Sequence, residues 1–137
     1  MTKLDDIIEL NTNDKAKRLS FAAKYLVQIN FTFVLTVLSN GFGGTEHFCV
    51  RRDQLEKLCA DLDEMHYSLS GKTILEDNES DAFVEFTIES NGHLIVKGQV
   101  SGSYRDHSVI FKFHTDQTCI PDFTQRFNLL LKNQDDN

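Results

Sequence analysis

Alternating hydrophobic and polar residues predict that much of the first third of the chain is β-strand. The clearest run extends from Val27 to Leu38, where hydrophobic residues occupy every second position. A period of two over this length indicates a strand with one buried face and one wetter face. The glycine-rich segment 40–44 predicts a turn, and Thr45 to Val50 then returns as a second strand. Ile7 to Leu10 and Arg18 to Tyr25 are weaker strand candidates.

The hydrophobic period changes between Asp53 and Met65, which predicts an α-helix. Apolar residues there recur at spacings of three and four, as in a helix packed on a sheet. A second helix is predicted near the C-terminus, with Asp116 or Thr118 as its cap and Pro121 in its first turn. The two predicted buried stripes are Leu55, Leu58, Cys59, Leu62 and Met65, and Ile120, Phe123, Phe127, Leu130 and Leu131.

The polar segment 90–92 joins two predicted strands whose pattern indicates how they pair. A two-residue loop would set core side chains of one strand against solvent-facing side chains of the other. A three-residue loop, with its glycine in the left-handed conformation, pairs Ile88 with Leu94. The sequence therefore predicts the three-residue loop, which also places Glu85 opposite Lys97 on the outer face.

The order of elements, strands then a helix and again strands then a helix, predicts an α+β fold. We expect a mostly antiparallel sheet of six to eight strands with two helices packed on one face. The chain is long enough for one domain, residues 1–137, with frayed ends at residues 1–5 and 133–137. The other predicted elements are strands at Leu69 to Leu75, Ala82 to Glu89, Leu94 to Val100 and His107 to Thr115, and a turn at Ser101-Gly102-Ser103.

The composition indicates a globular protein of a reducing compartment. No apolar run approaches the roughly 20 residues that span a bilayer, so no membrane partner is expected. Asp5 and Asp6 stand where a signal peptide needs apolar residues. The three cysteines are an odd, widely spaced set that forms no disulfide framework. We therefore expect a cytoplasmic protein.

All of the surplus negative charge lies between Asp61 and Glu89. This segment has nine acidic residues and one basic residue, whereas residues 1–60 have eight bases and seven acids and residues 90–137 have five of each. Such localised charge attracts a basic partner and repels phosphates, so nucleic acid is not an expected partner. Alternatively, the acids only keep the protein soluble. The predicted partner-binding residues are Asp61, Asp63, Glu64, Glu76, Asp77, Glu79, Asp81, Phe83 and Glu85, with Phe83 as an exposed apolar anchor.

No residue pattern indicates catalysis, a cofactor or a metal site. A nucleophile motif, a recognisable pair of catalytic carboxylates and a phosphate-binding glycine loop are all missing. The segment 77–81 is rich in oxygen ligands but lacks the central glycine and terminal glutamate of an EF-hand loop. The five histidines lack the spacing of a zinc site. We therefore expect a protein that is not an enzyme and that has no cofactor.

Two C-terminal segments resemble a known family. They are residues 92–98, Gly-His-Leu-Ile-Val-Lys-Gly, and residues 110–123, Ile-Phe-Lys-Phe-His-Thr-Asp-Gln-Thr-Cys-Ile-Pro-Asp-Phe. They are similar to the WapI-type bacterial immunity proteins, and the resemblance extends over residues 27–131. It implies a cytoplasmic protein that binds and neutralises the toxic domain of a contact-delivered toxin without catalysis. Together with the acidic stretch, it predicts a basic toxin domain, most plausibly a nuclease, because nucleases need cationic clefts.

Two other functions stay open from the sequence. An acidic adaptor or secretion-type chaperone fits the small size and the acidity of the chain, and it would form a stable homodimer with a long apolar groove. An enzyme or small-ligand binder with a pocket between sheet and helices ranks last, because no convergent polar set is visible. A homodimer of the immunity protein itself also stays open.

Overall fold

In a computed structural model of the chain, which describes residues 1–101 and 107–135, strands and a helix follow one another twice. The first half comprises β1 (Thr2–Lys3), β2 (Ile7–Glu9), β3 (Lys17–Val27), β4 (Asn30–Ser39), β5 (Phe42–Arg51) and α1 (Arg52–Ser68). The second half comprises β6 (Gly71–Glu76), β7 (Phe83–Ile88), β8 (His93–Val100), β9 (Val109–Asp116), a 3₁₀ turn (Gln117–Cys119) and α2 (Ile120–Asp135). The α+β class is confirmed.

The strands of the described residues form two antiparallel sheets. In the first sheet, β1 and β2 both pair with β3, which is followed by β4 and β5. The second sheet has the order β6-β7-β8-β9. The sequence predicts antiparallel pairing but a single sheet of six to eight strands. The strands divide at α1, because this helix leads the chain away from β5, and β6 then pairs with β7 alone.

Both sheets and both helices contribute to one hydrophobic core. All residues of the two predicted helical stripes are buried. At the centre, the Phe21 ring packs against the rings of Phe33, Phe48, Phe123 and Phe127, with centroid distances of 5.4 to 6.2 Å. Such aromatic pairs each contribute about 0.5–1.5 kcal/mol beyond the area that they bury. Neither helix of the described residues is long and apolar enough to cross a membrane.

The predicted continuous strand from Val27 to Leu38 is wrong at its beginning. Strand β3 ends at Val27, which pairs with Asn30, so Gln28 and Ile29 form a two-residue turn. Val27 and Ile29 are 48% and 52% exposed and do not face the core. Gln28 adopts a positive φ of 59°, a conformation that glycine and asparagine more often supply in such turns. The sequence therefore carries no turn signal at this hairpin.

The predicted hairpin between β7 and β8 is confirmed. Ile88 pairs with Leu94, and Glu85 pairs with Lys97. Gly92 has a positive φ of 81°, as the three-residue loop requires. Here the alternation of core and surface residues was sufficient to choose the register.

The predicted cap of the last helix is present, whereas both chain ends are more regular than predicted. The Asp116 carboxylate accepts a hydrogen bond from the Thr118 N–H at 2.9 Å, which confirms the cap before α2. Where frayed ends are predicted, Thr2 and Lys3 pair with β3, and α2 continues to Asp135. Residues 102–106, which include most of the predicted turn after β8, and residues 136–137 lie outside the described residues.

Candidate acidic interaction surface

Helix α1 lies beside strand β6, and two side-chain contacts hold them together. Thr73 Oγ1 donates to Asp61 Oδ2 at 2.8 Å, and the Gln54 amide donates to the Glu76 carbonyl oxygen at 3.1 Å. Gln54 and Asp61 are seven residues apart, which is about two helical turns, so they share a face of α1. Glu64 follows Asp61 one turn later on that face. Acidic residues therefore stand along the α1–β6 side of the molecule, Asp61 and Glu64 near Thr73 and Glu76 near Gln54.

The loop between β6 and β7 extends this side. The Asn78 amide donates to Gln54 Oε1 at 2.7 Å, which holds the loop against the first turns of α1. Glu79, the next residue, is exposed, as are Glu64 and Glu76. Asp81 is also exposed, at the far end of the same loop. We call the set Asp61, Glu64, Glu76 and Glu79 the acidic flank.

The four carboxylates of the acidic flank differ in how far they are neutralised. Asp61 is half-buried and accepts a hydrogen bond from Lys57 Nζ at 2.5 Å. Burial opposes its ionisation, but the hydrogen bonds from Lys57 and Thr73 outweigh that effect and lower the pKa of Asp61 from its ordinary value. Within residues 1–101 and 107–135, Glu64, Glu76 and Glu79 make no ion pair. These three carboxylates carry the available charge.

Asp77, a predicted contact residue, is buried inside the loop instead. It is 8% exposed, and its Oδ1 accepts hydrogen bonds from the N–H groups of Cys49 at 2.9 Å and Glu79 at 3.1 Å. Its Oδ2 accepts a hydrogen bond from the Ser80 hydroxyl at 2.5 Å. The carboxylate therefore ties the loop to strand β5, and it does not contribute to the exposed acidic flank.

Asp63 points away from the acidic flank. It accepts a hydrogen bond from Thr124 Oγ1 on α2 at 2.9 Å. Two residues along an α-helix correspond to a rotation of about 200°, so Asp61 and Asp63 lie on opposite sides of α1. The acids that are close in sequence thus divide between the β6 side and the α2 side of the helix.

On the outer face of the second sheet, Glu85 is neutralised and Phe83 lies beside Glu76. Glu85 is only 9% exposed, and its carboxylate lies 3.2 Å from Lys97 Nζ and 3.6 Å from Lys72 Nζ. Lys97 is also directly opposite Lys112 on β9. Phe83, which the sequence suggests as an exposed anchor, is half-buried. The charge of Glu85 is therefore neutralised, whereas Phe83 is the direct cross-strand neighbour of Glu76 in the acidic flank.

An open cleft lies at residues that the sequence analysis did not single out. It has a volume of about 870 Å³ and is lined by the segment between β2 and β3 and by α2. Two of its cations are already paired, Arg18 with Glu9 at 3.2 Å and Arg126 with Asp122 at 3.1 Å. Within the described ranges, no three metal-ligating side chains converge anywhere. The exposed, unpaired carboxylates of the acidic flank therefore remain the most distinctive chemical feature.

The comparisons with known proteins define the class and then the family. One similar solved chain, from "Crystal structures of trypanosoma bruciei MRP1/MRP2", superposes with a TM-score of 0.56 over 98% of this chain and 87% of that chain. The two are 8% identical, so this likeness is one of fold alone. No curated protein matches the chain. The chain belongs to the WapI-like immunity protein family, whose model matches residues 10–133. The resemblance seen in the C-terminal segments is confirmed, and membership supports an immunity role with a toxin as partner.

Proposed function

We propose that this immunity protein neutralises a basic toxin domain by binding it through the acidic flank, without catalysis. Family membership supports the immunity role. The observation that carries the rest is the exposure of Glu64, Glu76 and Glu79 along the α1–β6 side, where they make no ion pair in the described part of the chain. They come from two elements that Gln54 and Asn78 hold together.

Electrostatics explains what such a surface does. Exposed charges contribute little to folding stability, because water and salt screen them. Their field extends about 8 Å at physiological salt, so each exposed carboxylate acts on the part of a cationic protein that approaches it closely. Complementary fields raise the association rate and orient the encounter. The acidic flank therefore attracts and orients a basic partner.

A nuclease is the class of toxin that best fits this surface. Nucleic acids present closely spaced phosphates, and enzymes that bind them present lysine and arginine in return. A surface of unpaired carboxylates competes for the same cations. Bound in or beside the cleft of such a toxin, the acidic flank blocks access of the nucleic acid in the cytoplasm.

Charge reversal tests the acidic flank. The triple variant Glu64→Lys/Glu76→Lys/Glu79→Lys is compared with wild type for association with the cognate toxin domain, in stopped-flow experiments over a salt series. We expect the association rate at low salt to fall at least tenfold and its salt dependence to weaken. The control, Asp5→Lys/Glu56→Lys/Glu89→Lys, changes the net charge equally at other exposed positions. Equal effects of the two triple variants would remove the acidic flank from the mechanism.

A further inference from the structure

Two edge strands, β9 and β5, have side-chain or loop contacts on backbone groups that would otherwise be exposed. An uncovered edge strand is a template for pairing with another chain. At β9, the side chains of Lys17 and Ser39 donate to two carbonyl oxygens of the strand, each at 2.8 Å. At β5, the Asp77 carboxylate and the Asn78 N–H bind the N–H and the carbonyl oxygen of Cys49, each at 2.9 Å.

Strand β6 is an edge strand whose central residues have no such contact on their outward backbone groups. The N–H of Asp77 donates to the Ala82 carbonyl at 3.0 Å, so the odd-numbered residues of β6 are the ones that bond to β7. The even-numbered residues Lys72, Ile74 and Glu76 therefore direct their backbone groups away from the sheet. The Glu76 carbonyl accepts from α1. Among the described residues, nothing binds the backbone groups of Lys72 and Ile74, and both residues are exposed.

Acidic residues stand at both ends of this open edge. Asp61 is bonded to Thr73 near the beginning of β6, and Glu64 lies one helical turn beyond it. Glu76 and Glu79 lie at the other end. Between them, the side chain of Ile74 is 45% exposed and offers an apolar contact. The edge thus combines free backbone groups, a central apolar side chain and flanking negative charge.

We propose that an extended, basic segment of the toxin domain adds to the second sheet as a fifth strand along β6. This inference rests on the proposed function, since it specifies how the acidic flank recognises its partner. Backbone hydrogen bonds to Lys72 and Ile74 hold the segment, which is how proteins bind extended peptides at sheet edges. Lysine and arginine side chains of the segment reach the acidic residues at either end.

A second copy of this chain is the competing occupant of the edge. Two β6 strands that pair antiparallel about Ile74 set Lys72 of each copy opposite Glu76 of the other, a favourable pair of opposite charges. Strand β6 has this one lysine, however, whereas a basic segment offers cations to Glu64, Glu76 and Glu79 together. The edge therefore fits a basic segment of the toxin better than a second copy.

The first arm of the test uses synthetic peptides and the whole protein. The probe is a peptide of alternating lysine and valine with blocked termini, and its binding is measured by calorimetry. A second peptide of the same sequence is N-methylated at alternate backbone amides, which keeps the charge but removes hydrogen-bond donors. We expect the unmodified peptide to bind at least tenfold more tightly and to protect the amides of Lys72 and Ile74 from hydrogen exchange.

The second arm changes the protein. Ile74→Pro removes an N–H that points away from the β6–β7 ladder, so the sheet keeps its own hydrogen bonds. The matched control is Ile110→Pro, an equally placed exposed isoleucine on the opposite edge strand β9. Ile74→Pro is expected to lower peptide affinity at least tenfold, and Ile110→Pro to leave it unchanged.

The outcomes separate the two proposals. Equal binding of both peptides overturns strand addition while leaving charge attraction intact. No binding of either peptide, or loss with Ile110→Pro as well, also overturns strand addition. If wild type sediments as a dimer that Ile74→Pro converts to a monomer, the edge is occupied by a second copy and the proposal is wrong. Failure of the acidic flank itself appears separately, in the salt dependence of the charge-reversal variant.

Discussion

Replacement of Asp77 tests whether this acid of the β6–β7 loop stabilises the fold or binds the partner. Asp77→Ala removes the acceptor of three hydrogen bonds, from the N–H groups of Cys49 and Glu79 and from the hydroxyl of Ser80. The bond to Cys49 joins residues 28 apart in sequence and covers the edge of β5. Without it, a half-buried N–H loses its partner.

The size of the effect follows from these contacts. A hydrogen bond to a charged group contributes about 1.5–3 kcal/mol, and leaving a buried donor unpaired costs about 1–3 kcal/mol. The two bonds within the loop are local, and water replaces them in part. We therefore expect Asp77→Ala to lower the free energy of unfolding by about 3 kcal/mol. Asp77→Asn keeps the Oδ1 acceptor for both N–H groups and is expected to cost about 1 kcal/mol.

Urea unfolding followed by circular dichroism measures these differences. Glu79→Ala is the matched control, because it removes an exposed acid from the same loop and is expected to change the stability by less than about 0.5 kcal/mol. The same control is expected to slow association with the toxin, whereas Asp77→Asn is not. If Asp77→Ala unfolds at the same urea concentration as wild type, its carboxylate does not hold the loop and the reasoning is refuted.

Two further predictions concern backbone space and pH. Gly98→Ala sets a Cβ against the Phe83 carbonyl oxygen and is expected to lower the free energy of unfolding by about 3 kcal/mol or more. Gly92→Ala has open space around the new Cβ but a positive φ, and it is expected to lower the free energy of unfolding by about 1–2 kcal/mol. Thermal unfolding measures both, and a Gly98 variant as stable as the Gly92 variant would contradict the packing argument. The pKa of Asp61 is lower in the folded state than its ordinary value. The ionised carboxylate therefore stabilises the fold above the ordinary aspartate pKa, and the contribution is lost as the pH falls through the lower folded-state pKa. The difference in unfolding free energy between wild type and Asp61→Asn, measured by urea titration, is therefore expected to be constant down to about pH 5 and to narrow towards about pH 3. A difference that stays unchanged at the lowest pH would count against the Lys57 and Thr73 contacts.

Local patterns were enough to predict both helices and the β7–β8 hairpin. The helical stripes repeat over about three turns, and a one-residue slip between Ile88 and Leu94 would expose a whole core face. The hairpin between β3 and β4 could not be predicted in this way. Its turn at Gln28 and Ile29 continues the alternation of the flanking strands, and tertiary packing of β3 against β4 overrides the weak local preference.

The candidate site was predicted only as a stretch of sequence. Helical rotation separates Asp61 from Asp63, and alternation along a strand and its loop separates exposed Glu76 from buried Asp77. Glu85 stays on the outer face of its sheet, where the lysines of neighbouring strands neutralise it. Adjacency along the chain therefore overstated the size of the acidic surface.

The sequence by itself determined the excess of acid in residues 61–89, the identity of most elements and the family, because these depend on composition and on short-range periodicity. Only the tertiary structure decided which carboxylates share a side, because that depends on how α1 docks beside β6 through Asp61 and Gln54. It also decided that the strands form two sheets and that the β6 edge stays open. Such features arise from contacts between distant residues, which no local pattern encodes.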